Sequence, residues 1–183
     1  MKLTKITSVP FLLLLLAMLT TVASAWALQP GSDGWYHTGD GTRVKTMFKV
    51  NVYDIGHDMK CLPPAKSKQA VIDADCDKKF TWVMRRDVSA EKIRDALSEA
   101  YAMNGYKDAA KTAPFLAALN RELKENTKVI ITYNAANKTT SIAVGGGGGN
   151  ATVPGIEFMK ATWSIWFGKI DQPTLGDALI RLL

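Results

Sequence analysis

Alternating and helical spacings of apolar residues divide this chain into segments. The clearest lie near the C-terminus. From Lys128 the chain reads KVIITYNAANKTTSIAV, with Val129, Ile131 and Tyr133 on one parity and Thr140, Ile142 and Val144 forming a second run. Asn134 to Lys138 supplies turn residues between them, which predicts a β-hairpin. From Gly155 to Gly168 the chain reads GIEFMKATWSIWFG, a stretch of helical length whose only polar stripe is Glu157, Lys160 and Ser164. A helix apolar over most of its circumference must be buried, so it is expected to lie across the sheet that owns the hairpin. Trp163 and Trp166 are then expected to fill the core.

Upstream, Trp26 to Asp33 reads as an irregular lead-in. Trp35 to His37 reads as a short strand turning at Gly39-Asp40-Gly41. Thr46 to Ile55 alternates, with Phe48, Val50 and Val52 facing one way and Lys49, Asn51 and Tyr53 the other. Phe80, Trp82 and Met84 repeat the pattern against Lys79, Thr81 and Arg85, and the two runs most simply pair antiparallel. Ser89 is suited to cap a helix with Glu91 in its first turn and Ile93, Ala96, Leu97, Ala100 and Tyr101 inward, stopping at Asn104-Gly105. A second helix is predicted from Pro114 to Asn126, burying Phe115, Leu116, Leu119 and Leu123. Thr174 to Leu182 closes the chain as a short helix. Strands, helices, strands and helices in that order predict an α+β domain, an antiparallel sheet with helices packed on it.

One segment stands outside that domain. Lys2 and Lys5, the apolar run Phe11 to Leu19 and Ala23-Ser24-Ala25 have the three parts of a secretory leader, predicting cleavage after Ala25 and one exported domain over residues 26–183. The run is short for a membrane span, and no second one follows, so no stable membrane insertion is expected after cleavage. Losing Lys2 and Lys5 lowers the net charge from +6 to +4, and the basic residues are interspersed with acids, which argues against a nucleic-acid partner. Cys61 and Cys76 are the two cysteines, and in an oxidising compartment they are expected to form a structural disulfide. Nothing resembles a redox-active C-x-x-C motif.

Little in the sequence announces chemistry. His37 and His57 each stand alone, without the ligand clusters of a metal site. Tyr53-Asp54 and His57-Asp58 could together form an acid/base group, although they read as strand-end residues. The five glycines from Gly145 to Gly149 lack the Lys-Ser/Thr pair of a phosphate loop and read as a flexible turn. No nucleophile motif appears. Asn137-Lys138-Thr139 and Asn150-Ala151-Thr152 are glycosylation sequons, meaningful only in a eukaryotic secretory route. No metal, cofactor or catalytic set is predicted.

Several segments, in order, resemble the chalcone isomerase-like family, especially its exported bacterial branch. They are GDGTR (Gly39 to Arg43), FKVNVYDI (Phe48 to Ile55), VSAEKI (Val88 to Ile93), the hairpin opening VIITY, and GIEFMKATWSIWFG. The resemblance implies an open-faced β-sandwich, a large antiparallel sheet with helices layered on one face. It also implies a cleft between sheet and helices, where plant chalcone isomerases use an arginine, a threonine, a tyrosine and an asparagine. Carried over, the arginine matches Arg43 and the lysine of the helix start matches Lys92. The threonine falls near Asn51, the tyrosine at Ser89 and the asparagine near Ala96. Retention of Arg43 without the tyrosine implies an anion-attracting cavity that lacks the ring-closing machinery. Arg43, Lys92 and Asn51 are thus the expected ligand-binding residues. The fatty-acid-binding members of the superfamily suggest a small amphiphile such as a fatty acid as ligand. An isomerase or lyase using Arg43 with Tyr53 or Tyr101, and a ligand-free envelope interaction module, are the alternatives.

Overall fold

The computed structural model describes residues 28–45 and 49–183, so the expected leader, its cleavage site and Phe48 lie outside the described residues. Strands β1 (Tyr36–Lys45) and β2 (Val50–Met59) are followed by helix α1 (Lys68–Asp73) and strand β3 (Lys78–Met84). Helices α2 (Ala90–Met103) and α3 (Ala109–Ala117) lead to strands β4 (Lys128–Asn134), β5 (Thr139–Val144) and β6 (Asn150–Pro154). Helices α4 (Ile156–Phe167) and α5 (Pro173–Leu179) close the chain. The strands form one six-stranded antiparallel sheet in chain order, as the α+β pattern predicts.

Alternation explains which face is covered. Lys78, Phe80, Trp82 and Met84 of β3, Val129, Ile131 and Tyr133 of β4, and Thr140, Ile142 and Val144 of β5 are all buried. Helix α4 lies on that face, with Phe158, Met159, Trp163, Ile165, Trp166 and Phe167 buried. The Phe80 ring sits 5.1 Å from Trp163, 4.5 Å from Trp166 and 5.6 Å from Phe167, centroid to centroid. Both tryptophans are core, as expected. Each edge strand is also tied to a helical segment: the Leu182 amide donates to Thr38 O of β1 at 3.0 Å, and the Gly149 amide, just before β6, to Ala118 O at the end of α3 at 2.9 Å.

Some expectations change. Gly39-Asp40-Gly41 is not a turn but lies inside β1, which bulges between His37 and Gly39 and again between Arg43 and Val44. Gly39 serves close approach instead, since a Cβ there would stand 2.2 Å from Ala178 O on α5. On β2 the inward parity is Tyr53, Ile55, His57 and Met59, the reverse of the one predicted. The strand continues past Ile55, and Tyr53 and His57 satisfy their polar atoms inside the core, so a count of apolar side chains misjudges them. The cysteine loop contains α1, capped by Ser67, whose hydroxyl accepts from the Ala70 amide at 3.1 Å. Helix α3 starts and ends earlier than predicted, because Asp108 caps it and Pro114 sits within it rather than at its start. The glycine run is a turn, as expected, with Gly146 at φ +65° and Gly147 at +79°, and it folds strand β6, which was not predicted, back onto β5.

Cys61 and Cys76 are bonded, with Cα atoms 6.1 Å apart, and they clip together the two ends of the segment carrying α1. A loop of this size contributes about 3 kcal/mol in the chain-entropy account. Among the described residues no helix is long and apolar enough to cross a membrane.

Candidate ligand site at Arg43

Arg43 pairs with Tyr53 across the β1–β2 ladder and therefore shares the helix-covered face with that buried ring. Its guanidinium is half-buried, with 22% of the side chain exposed. Nη2 donates to Asp171 Oδ1 at 2.6 Å, and Nη1 to Gln172 Oε1 at 3.2 Å and to Val44 O at 3.1 Å. Gln172 ties this corner to the strand edge, accepting from the Val44 amide at 2.9 Å and donating to Thr42 O at 3.0 Å. Asp171 and Gln172 lie in the connector between α4 and α5, far along the chain from Arg43, and no spacing rule links them.

Behind Arg43, the Tyr53 ring stacks on Trp82 at 5.0 Å, and its hydroxyl accepts from Trp166 Nε1 at 3.1 Å. Burial pushes the Tyr53 phenol up, against smaller downward pulls from the Trp166 hydrogen bond and the Arg43 charge. It stays a neutral donor at physiological pH. Trp82 Nε1 is one of two buried side-chain polar atoms without a hydrogen-bond partner among the described residues.

Asn51 stands two residues before Tyr53 on β2, opposite Val44, and is exposed. Lys92 is exposed in the first turn of α2, where its amide donates to the Ser89 cap at 3.4 Å. Helix α2 follows shortly after Met84, the β3 residue paired with Tyr53, so its start belongs to the same end of the sheet. Among the described residues no hydrogen bond or ion pair joins Lys92 to Arg43 or Asn51.

Tyr101 does not join this group. Its hydroxyl donates to Thr162 Oγ1 at 2.8 Å, which in turn donates to Phe158 O at 2.8 Å, all in the core. Nor does β2 hold an acid/base group: alternation buries Tyr53 and His57 and turns Asp54 and Asp58 to the open face. His57 Nε2 accepts from Trp163 Nε1 at 2.9 Å, so Nδ1 carries the proton and donates to Thr38 Oγ1 at 2.7 Å. Thr38 passes the chain on to Leu179 O at 2.7 Å, joining α4, β2, β1 and α5. Burial lowers the His57 basicity well below the ordinary 6.5, helped by the charges of Lys78 and His37. Among the described residues no three His, Cys, Asp or Glu side chains gather to hold a metal.

Two open hollows lie away from Arg43. One of about 480 Å³ lies between α2 and α3, lined by Arg94, Asp95, Ser98, Leu116 and Asn120. The other, about 240 Å³, lies beside α1 and α4, with Asp73, Tyr106, Glu157 and Lys160 on its walls.

The profile of the chalcone isomerase-like family matches residues 19–178. The chain belongs to that family. The crystal structure of an Arabidopsis thaliana fatty-acid binding protein has the same fold, with a TM-score of 0.63 at 13% identity, over 82% of this chain and 89% of that one. No curated protein sequence matches the chain. Within the family fold, this chalcone isomerase-like chain has Arg43 on the helix-covered face beside Tyr53. At the positions where the family's catalytic tyrosine and asparagine are carried over, it has the helix cap Ser89 and Ala96, which is exposed rather than inward as its spacing predicts.

Proposed function

We propose that this chain is an exported, non-catalytic binding protein for a small apolar ligand with an acidic head, a fatty acid being the type, seated at Arg43. The observation that carries the proposal is the half-buried Arg43 guanidinium on the helix-covered face, already bonded to a carboxylate. Charge-assisted pairing of guanidinium and carboxylate is the strong form of this contact. The neighbouring Tyr53 hydroxyl takes the Trp166 N–H on a lone pair and keeps its own proton to give to an oxygen. The fold neighbour named as a fatty-acid binding protein supports the ligand class. Catalysis is disfavoured because a neutral phenol neither removes a proton nor stands where the family's tyrosine does.

Isothermal titration of the purified protein with dodecanoate tests this. We expect one saturable site, weakened about 10- to 100-fold in Arg43→Ala, the range for losing a charged hydrogen bond. No saturable binding of dodecanoate or longer straight-chain acids, or equal affinity in the variant, sinks the reading. For export, N-terminal sequencing of the mature protein from its own host is expected to begin at Trp26; a start at Met1 contradicts it.

A second reading is favoured by one observation. The space between the sheet and α4 is packed with the rings of Phe80, Trp82, Trp163, Trp166 and Phe167, as in a module that carries no ligand and works through protein contacts. A flat titration together with a protein partner retained by the exported protein would select it.

A further inference from the structure

The connector between α4 and α5 is tied down at both ends. At its start, the Lys169 amide donates to Asn104 Oδ1 at 2.8 Å, and Asn104 Nδ2 donates to Lys169 O at 3.1 Å, anchoring it to the end of α2. At its finish, Gln172 docks on the β1 edge through Thr42 O and the Val44 amide, and Asp171 reaches Arg43. The strap therefore runs from α2 to β1 past the end of α4, and the carboxylate it carries lands on the site's guanidinium. Asp171 is well exposed, at 47%, so water reaches the pair from the connector side.

We infer that this strap is an autoinhibitory contact: Asp171 occupies the place of the ligand's carboxylate on Arg43, and an incoming acid binds only by displacing it. This rests on the proposed Arg43 site and adds its regulation. A ligand with an anionic head competes with Asp171, whereas one with a neutral head gains nothing from displacing it. The contact thus sets a threshold that selects for acids able to replace a carboxylate on a guanidinium. An ion pair exposed to this degree is worth little by itself, so the threshold is modest.

The test compares dodecanoate with dodecanol on the full mature protein by titration calorimetry, using Asp171→Asn and Asp171→Ser. Serine is included because an asparagine oxygen can still accept from Arg43. Asp177→Asn is the charge control, since Asp177 belongs to α5 and pairs with Lys68 at 2.7 Å. Removing Asp171 is expected to tighten dodecanoate roughly three- to fivefold, the factor for an exposed ion pair, and to leave dodecanol unchanged. Asp177→Asn is expected to match the parent. Dodecanoate binding that is lost in Arg43→Ala but unchanged in both Asp171 variants overturns the strap and leaves the Arg43 site standing. Equal tightening by Asp171→Asn and Asp177→Asn reduces the effect to net charge and also overturns it. If no variant binds dodecanoate, the ligand reading itself falls and takes the strap with it.

Discussion

Replacing Trp163 by alanine is expected to lower the free energy of unfolding by about 5 kcal/mol, the upper end for truncating a buried ring. The ring is fully buried, packs against Phe80 and His57, and gives its N–H to His57 Nε2. Truncation opens a cavity and also leaves a buried nitrogen with no donor. Trp163→Phe separates the two effects. It retains most of the ring, and a loss of about 1–3 kcal/mol is expected from the orphaned nitrogen. Urea midpoints followed by circular dichroism measure both, and a phenylalanine variant as stable as the parent would show that the hydrogen bond contributes nothing. The same group gives a pH dependence. Folded His57 stays neutral, while the unfolded chain binds a proton near the ordinary 6.5. Stability from this group is therefore complete above that value and is lost as pH falls below it. The loss is about 1.4 kcal/mol per pH unit until the folded histidine also protonates.

Lys78→Met is expected to cost about 3 kcal/mol, although methionine suits a buried strand position. Lys78 is fully buried, and its Nζ donates to the carbonyl oxygens of Val71 at 2.7 Å, Ile72 at 3.0 Å and Ala74 at 2.8 Å. These carbonyls end α1, a helix without other basic residues in its last turn, so Nζ of Lys78 caps it from inside the core. Removing the donor leaves three acceptors facing an apolar side chain. Hydrogen exchange should then show α1 opening ahead of the sheet, and a variant as stable as the parent would contradict this role. Burial pushes Lys78 down to about 7 from the ordinary 10.5, with the Asp73 and Asp75 carboxylates pulling back. Between those values the unfolded chain binds more protons than the folded one, so the parent gains stability as pH rises from about 7 toward 10.5. The methionine variant should lack that rise.

The fold was legible where one periodicity dominated. The Val129–Val144 hairpin, the inward face of β3, the Ser89 cap and the buried helix around Trp163 follow directly from spacing. The reading failed where a polar residue belongs inside. Tyr53 and His57 face the core because partners far along the chain satisfy them, and Lys78 because the carbonyls ending α1, four to seven residues before it, do; neither alternation nor composition reports such partners. Glycine misled at Gly39, which marks a close approach to α5 rather than a turn; the Gly145–Gly149 run is the turn it was read as, but the strand β6 it leads into was not predicted. Of the candidate site, Arg43 came from its GDGTR setting, and the antiparallel sheet sets Asn51 near it on β2. Asp171 and Gln172 were invisible, since only the folded connector brings them to β1.

The central claim is that an acidic ligand head sits on Arg43 beside Tyr53 and Trp166. It is tested most directly by titrating dodecanoate into isotopically labelled protein and following the indole N–H resonances. The account predicts saturable movement of the Trp166 indole signal, whose N–H bonds Tyr53 beside Arg43, and no such movement in Arg43→Ala. A silent Trp166, with saturable changes instead at Leu116 and Asn120 in the hollow between α2 and α3, would place the ligand elsewhere and contradict the account.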